Sequence, residues 1–196
     1  MALSRKYLTL TMPLTKTNKE EIIQTALSVF RKNGYYNTSM SDLATACGLQ
    51  KGSFYHYFAS KEVLMGEVLK TVQSYLDYAV FSIAKQTDLA PRDRMEKMLL
   101  KLGKVLLSQE GGCIVGNTTL EVAAQNVIFK DTLKAIFDSW KNALKIIFME
   151  KYPEGTSNRL AEQSVMEFEG AVMFSQLYQT DQYLKDAFVR TLSKMK

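Results

Sequence analysis

Residues 38–61 read TSMSDLATACGLQKGSFYHYFASK, and this stretch decides the fold. Ser39 is a strong helix N-cap, and Asp42 three residues on completes a capping box while its charge suits the positive end of the helix dipole. A helix therefore starts near Met40. Leu43 and Ala44 turn one face inward, and Gly48 after Cys47 supplies the left-handed backbone that stops the helix and turns the chain. The spacing predicts a second helix from about Gln50 to Tyr57. Phe54 and Phe58, four apart, bury against the first helix, while Lys51, Gly52, Ser53, Tyr55 and His56 occupy the outer side.

Two short helices around a glycine turn, the second with a polar and cationic outer face, form the helix-turn-helix arrangement. Such a helix fits the DNA major groove, where Lys, Ser, Tyr and His supply donors for phosphates and base edges. The same spacing also describes an ordinary helical hairpin with a solvated face.

The residues preceding and following this stretch extend the pattern: RKNGYYNTSM, then SDLATACGLQKGSFYHYFASKEVL. From about Asn18 to Leu69 the sequence resembles the DNA-binding domain of the TetR (tetracycline-repressor) family of bacterial transcriptional regulators. Gln50 stands where that family usually caps the recognition helix with Ser or Thr, and Cys47 where it usually has Ala. The resemblance implies an all-α homodimer whose C-terminal part binds a small molecule that controls DNA affinity, and it makes Lys61 a phosphate contact. With it, Lys51, Gly52, Ser53 and His56 fall near base edges, and Ser39 and Tyr55 join Lys61 at the phosphates. Two-fold symmetry implies a palindromic operator in double-stranded DNA.

Composition is that of a soluble globular protein: 46% hydrophobic and 23% charged over 196 residues, net charge +5. Up to Ser60 there are seven basic against three acidic side chains, the excess that phosphate attraction requires. No window approaches the roughly 20 apolar residues of a membrane span, and no signal segment opens the chain, so a cytoplasmic location is expected and no membrane contact. Two cysteines distant in sequence and one histidine offer no metal site and no disulfide framework. No cofactor loop of GxxxxGK[ST] type and no nucleophile-base pair occurs, so the expectation is a non-enzyme.

In order, residues 1–16 read as a mobile tail, with Arg5, Lys6 and Lys16 available as a minor-groove arm. Residues 17–60 form the head, opening with a helix capped at Thr17 or Asn18 and closed at Gly34. Residues 61–196 form a helical ligand-binding and dimerisation body, for about nine helices in all. Its first helix, capped by Ser60, is expected to run to about Ala84. Others follow from Pro91, from about Ile114 to Gln125, from about Val127 to before Pro153, over roughly 156–178 and over 181–195. The last two have more to bury than one chain covers, predicting a dimer through a four-helix bundle, with Gly170 and Ala171 permitting close approach.

A ligand pocket in this body would draw on Met98, Leu102, Phe137, Trp140, Met166, Met173 and Phe174 as adaptable walls, with Asn117 or Tyr178 to orient the ligand. The same side chains at helical spacing also read as core. Cys113, between Gly112 and Ile114, reads either as a redox-sensing thiol or as a small buried packing residue. The function expected is a sequence-specific regulator, a repressor released from its operator by a small hydrophobic or aromatic ligand. The alternative is a DNA-bound dimer of the same fold controlled by a protein partner.

Overall fold

The computed structural model describes residues 18–107, 111–125 and 127–196, so the expected N-terminal tail and basic arm lie outside the described residues. Nine α-helices and no strand occur among the described residues: α1 (Lys19–Asn33), α2 (Met40–Ala46), α3 (Lys51–Tyr57), α4 (Lys61–Tyr75), α5 (Pro91–Leu107), α6 (Ile114–Val122), α7 (Lys130–Phe148), α8 (Glu154–Leu177) and α9 (Gln182–Ser193). None of them is long and apolar enough to cross a membrane.

The head is assembled by local signals. Asn18 caps α1 reciprocally with Glu21, and Ser39 caps α2 reciprocally with Asp42. Gly48 turns the chain at φ +67, a backbone conformation that side chains resist. Gln50 precedes α3 without a side-chain cap, so that helix depends on Phe54 and Phe58, which are fully buried with ring centroids 6.5 Å apart. Ile22, Ala26, Phe30 and Leu43 complete this small core.

The expected unbroken helix from Ser60 to about Ala84 is corrected. Ser60 does cap α4, but at Leu76–Val80 the helix widens to a π turn and then tightens to a 3₁₀ turn over Phe81–Lys85. Val80, Phe81, Ile83 and Ala84 are all buried, a wider arc than one stripe of a regular helix covers, and rewinding turns them all inward. Arg94 locks this end, donating to the Ala84 carbonyl at 3.0 Å and to Glu150 at 2.7 Å. The body then packs α7 against α8, α8 against α9, and α5 against α7 and α9. Trp140 sits at its centre, stacked against Phe81, Phe137 and Phe168.

Candidate nucleic-acid interface and ligand cleft

Burial of Phe54 and Phe58 forces the other side of α3 outward. Lys51, Gly52, Ser53, Tyr55 and His56 are all exposed, and Ser39 at the start of α2 is exposed beside them. A β-carbon built on Gly52 would meet nothing within 4 Å. Nothing inside the protein asks for glycine there. The Ser39 hydroxyl and amide both donate to Asp42, holding its carboxyl below the ordinary range.

Lys61 is half-buried and differently engaged. Its ammonium donates to the carbonyls of Tyr35 at 2.7 Å and Tyr36 at 3.4 Å and lies 4.4 Å from the Tyr35 ring centroid. The amides of the same two residues donate to Glu121 near the end of α6, Tyr35 to Oε1 at 3.0 Å and Tyr36 to Oε2 at 2.8 Å. The turn between α1 and α2 is therefore held from both sides, by the cation that opens α4 and the anion that ends α6. Gly34 makes room for this clasp, since a β-carbon there would stand 2.9 Å from Glu121 Oε1. Burial, with the charges of Glu62 and Glu121, pushes the Tyr35 phenol up to about 12. Sequence reasoning missed Glu121, whose partners lie some 85 residues away.

The body holds a cleft of about 480 Å³ between α6, α7 and α8, lined among others by Gly116, Asn117, Leu120, Phe137, Glu169 and Met173. Of the nine residues expected to form a pocket, Asn117, Phe137 and Met173 meet here. Met98, Leu102 and Trp140 are buried core side chains, and Met166, Phe174 and Tyr178 are exposed on the outer side of α8 and just past its end. Glu169 was not anticipated. Cys113 is buried at the N-terminus of α6, its sulfur accepting from the Gly116 amide at 3.4 Å. Burial and the neighbouring Glu169 carboxylate push its thiol well above the ordinary range, which opposes the thiolate a sensor needs.

The outer side of α8 and α9 carries Met166, Phe174, Leu177, Tyr183 and Val189 in exposed positions. Phe174 and Tyr183 pack edge to face at 5.4 Å. Val165, Phe168, Val172, Leu184 and Ala187 of the same two helices are buried inside the protomer. Among the described residues no group of three or more His, Cys, Asp or Glu side chains could hold a metal ion.

Residues 22–68 match the family model described as bacterial regulatory proteins, tetR family, and residues 91–188, half of the chain, match the C-terminal domain of LmrA/YxaF-like transcriptional regulators. The chain is 26% identical over 161 residues to the HTH-type transcriptional repressor DhaR of Mycobacterium sp. (strain GP1), covering 79% of this chain and 80% of that one. Its fold is similar to a TetR transcriptional regulator from Legionella pneumophila, with a TM-score of 0.81 and 24% identity over 91% of this chain and 97% of the other. It is also similar to AibR in complex with isovaleryl coenzyme A and operator DNA, with a TM-score of 0.67 and 19% identity over 87% of this chain and 95% of that one.

Proposed function

We propose, starting from a chain that belongs to the TetR family of bacterial transcriptional regulators, that it binds a two-fold-symmetric operator as a homodimer and leaves it when a small ligand occupies the body. In this reading residues 17–60 are the DNA-binding head and residues 61–196 the ligand-binding and dimerising part. The observation that carries it is the outer face of α3. Five adjacent side positions there, including Lys51 and Ser53, are exposed while Phe54 is fully buried. A helix so anchored enters a major groove with donors foremost, and Gly52 lets the backbone come close.

Lys51, Gly52, Ser53 and His56 then read base edges, and Ser39 and Tyr55 hold phosphates. Lys61 reaches a phosphate only with whatever donor capacity its bonds to Tyr35 and Tyr36 leave, so its larger role is to set the turn that positions α2. The exposed apolar side of α8 and α9 supports dimerisation there.

Ligand control follows from the clasp. Helix α6 lines the cleft with Gly116, Asn117 and Leu120, and the next residue, Glu121, grips the head. A ligand that displaces α6 moves Glu121 against the turn at Tyr35, and with it α1 and α4. In a dimer this alters the separation of two recognition helices that must match groove segments about 34 Å apart. Release requires that the ligand bind the displaced state more tightly, since equal affinity shifts nothing.

Selection of bound fragments from the source genome tests the reading. The expected result is an enriched site with inverted half-sites. Enrichment without symmetry, or none at low salt, contradicts it.

A further inference from the structure

The cleft between α6, α7 and α8 has a one-sided chemistry. Among the described residues Glu169 is the one charged side chain that lines it. Its Oε1 is out of solvent reach and has no hydrogen-bond partner among the described residues, and the thiol of Cys113 donates to its carboxylate. Room for the group is built into the helix opposite, since a β-carbon on Gly116 would stand 2.1 Å from Glu169 Oε2. Three neutral polar side chains stand beside Glu169 among the described residues, Asn117, Thr119 and Gln176. Asn117 donates its side-chain amide to the Gly111 carbonyl, and the Thr119 hydroxyl donates its one proton to the Val115 carbonyl at 2.8 Å, so Thr119 retains only an acceptor oxygen, while Asn117 and Gln176 offer amides that carry no charge. The remaining wall is apolar and aromatic: Leu120, Phe137, Val172 and Met173. A volume of about 480 Å³ falls in the range of small-molecule sites, roughly 300–1,000 Å³.

We propose that this cleft takes a small organic cation, a protonated amine on a compact apolar body, with its nitrogen on the Glu169 carboxylate and its body against Phe137, Leu120 and Met173. An ammonium supplies the positive charge that the described lining lacks, whereas a carboxylate ligand would meet a buried like charge with no lysine or arginine among the described lining residues to offset it. Burial that pushes the Glu169 carboxyl from its ordinary 4.5 up to about 6 agrees with a charge still short of a partner, yet leaves it ionised at neutral pH. This inference deepens the ligand half of the proposed function and rests on the cleft being the effector site.

Calorimetry on the full chain without DNA tests it, using phenethylamine, phenethyl alcohol and phenylacetate at neutral pH. The amine is expected to bind about tenfold tighter than the alcohol, with phenylacetate weakest. Glu169→Gln, of nearly the same shape, should bring the amine down to the level of the alcohol. Phenylacetate binding as well as the amine, an amine preference that survives Glu169→Gln, or no binding of any of the three overturns the proposal. If the variant does not fold, the order of the three probes on the unaltered chain decides alone. Operator release by phenethylamine is read separately. A chain that prefers the amine but ignores DNA overturns the operator reading only, and one that binds DNA without the preference overturns this inference only.

Discussion

The outer face of α3 and the cleft beside α6 are both polar patches on apolar frames, and they are opposites in sign and shape. The first is convex and rich in donors, made of neighbours in sequence from Lys51 to His56 on a helix held by Phe54 and Phe58. The second is concave and built around one buried carboxylate, gathered from residues 111–120, Phe137 and residues 169–176. A surface that meets phosphate needs donors in water, where a short local motif suffices. A pocket that meets a cation needs desolvated acceptors, and only the packing of distant helices removes the water.

Breaking the link between the two regions gives the largest expected effect. Glu121→Ala leaves the Tyr35 and Tyr36 amides without their carboxylate, and hydrogen bonds to a charged acceptor contribute roughly 1.5–3 kcal/mol each. Unfolding by urea should show a loss of about 3 kcal/mol. Operator affinity should fall with it, and ligand should no longer alter that affinity. Retained ligand control would mean that the signal takes another route.

The cleft is tested next by pH. Glu169 has its folded value raised from 4.5 to about 6, so the folded state binds that proton more tightly than the unfolded chain. The associated stability is fully present below 4.5 and is lost as pH rises through about 6, a difference of about 2 kcal/mol. Glu169→Gln should remove this component of the melting profile across that window and raise stability at neutral pH. Superimposable profiles for the two chains would contradict the assignment.

The smallest effect sharpens the contrast at α3. Gly52→Ala meets open space and should raise stability by about 0.5–1 kcal/mol while weakening operator binding, because the added methyl stands between helix and groove. A variant that gains stability and keeps full affinity would remove Gly52 from the interface.

How far each region can be read from the chain follows from the same contrast. The caps at Asn18 and Ser39, the turn at Gly48 and the alternation of Phe54 and Phe58 against Lys51 and Tyr55 are local, and so the head was legible down to single residues. The break in the helix after Tyr75 was not, since periodicity alone does not register a π turn. In the body, Met98, Leu102 and Trp140 are the residue types of a pocket and of a core alike, and packing placed them in the core. Glu169 did leave a signal that went unread. It lies four residues after Val165 and three before Val172, a charge on the buried stripe of α8, where a solvated carboxylate has no place. Glu121 left none, because its partners are amides of a distant turn.

The central claim is that the outer face of α3 carries the DNA contact, and the salt dependence of operator binding tests it most directly. Fluorescence anisotropy on a selected operator fragment would compare the unaltered chain with Lys51→Ala over a range of salt concentrations. The account predicts weaker binding and a log–log salt slope shallower by about one, the loss of one phosphate or base-edge cation. An unchanged slope and affinity, with the variant folded, would place the DNA elsewhere on the molecule.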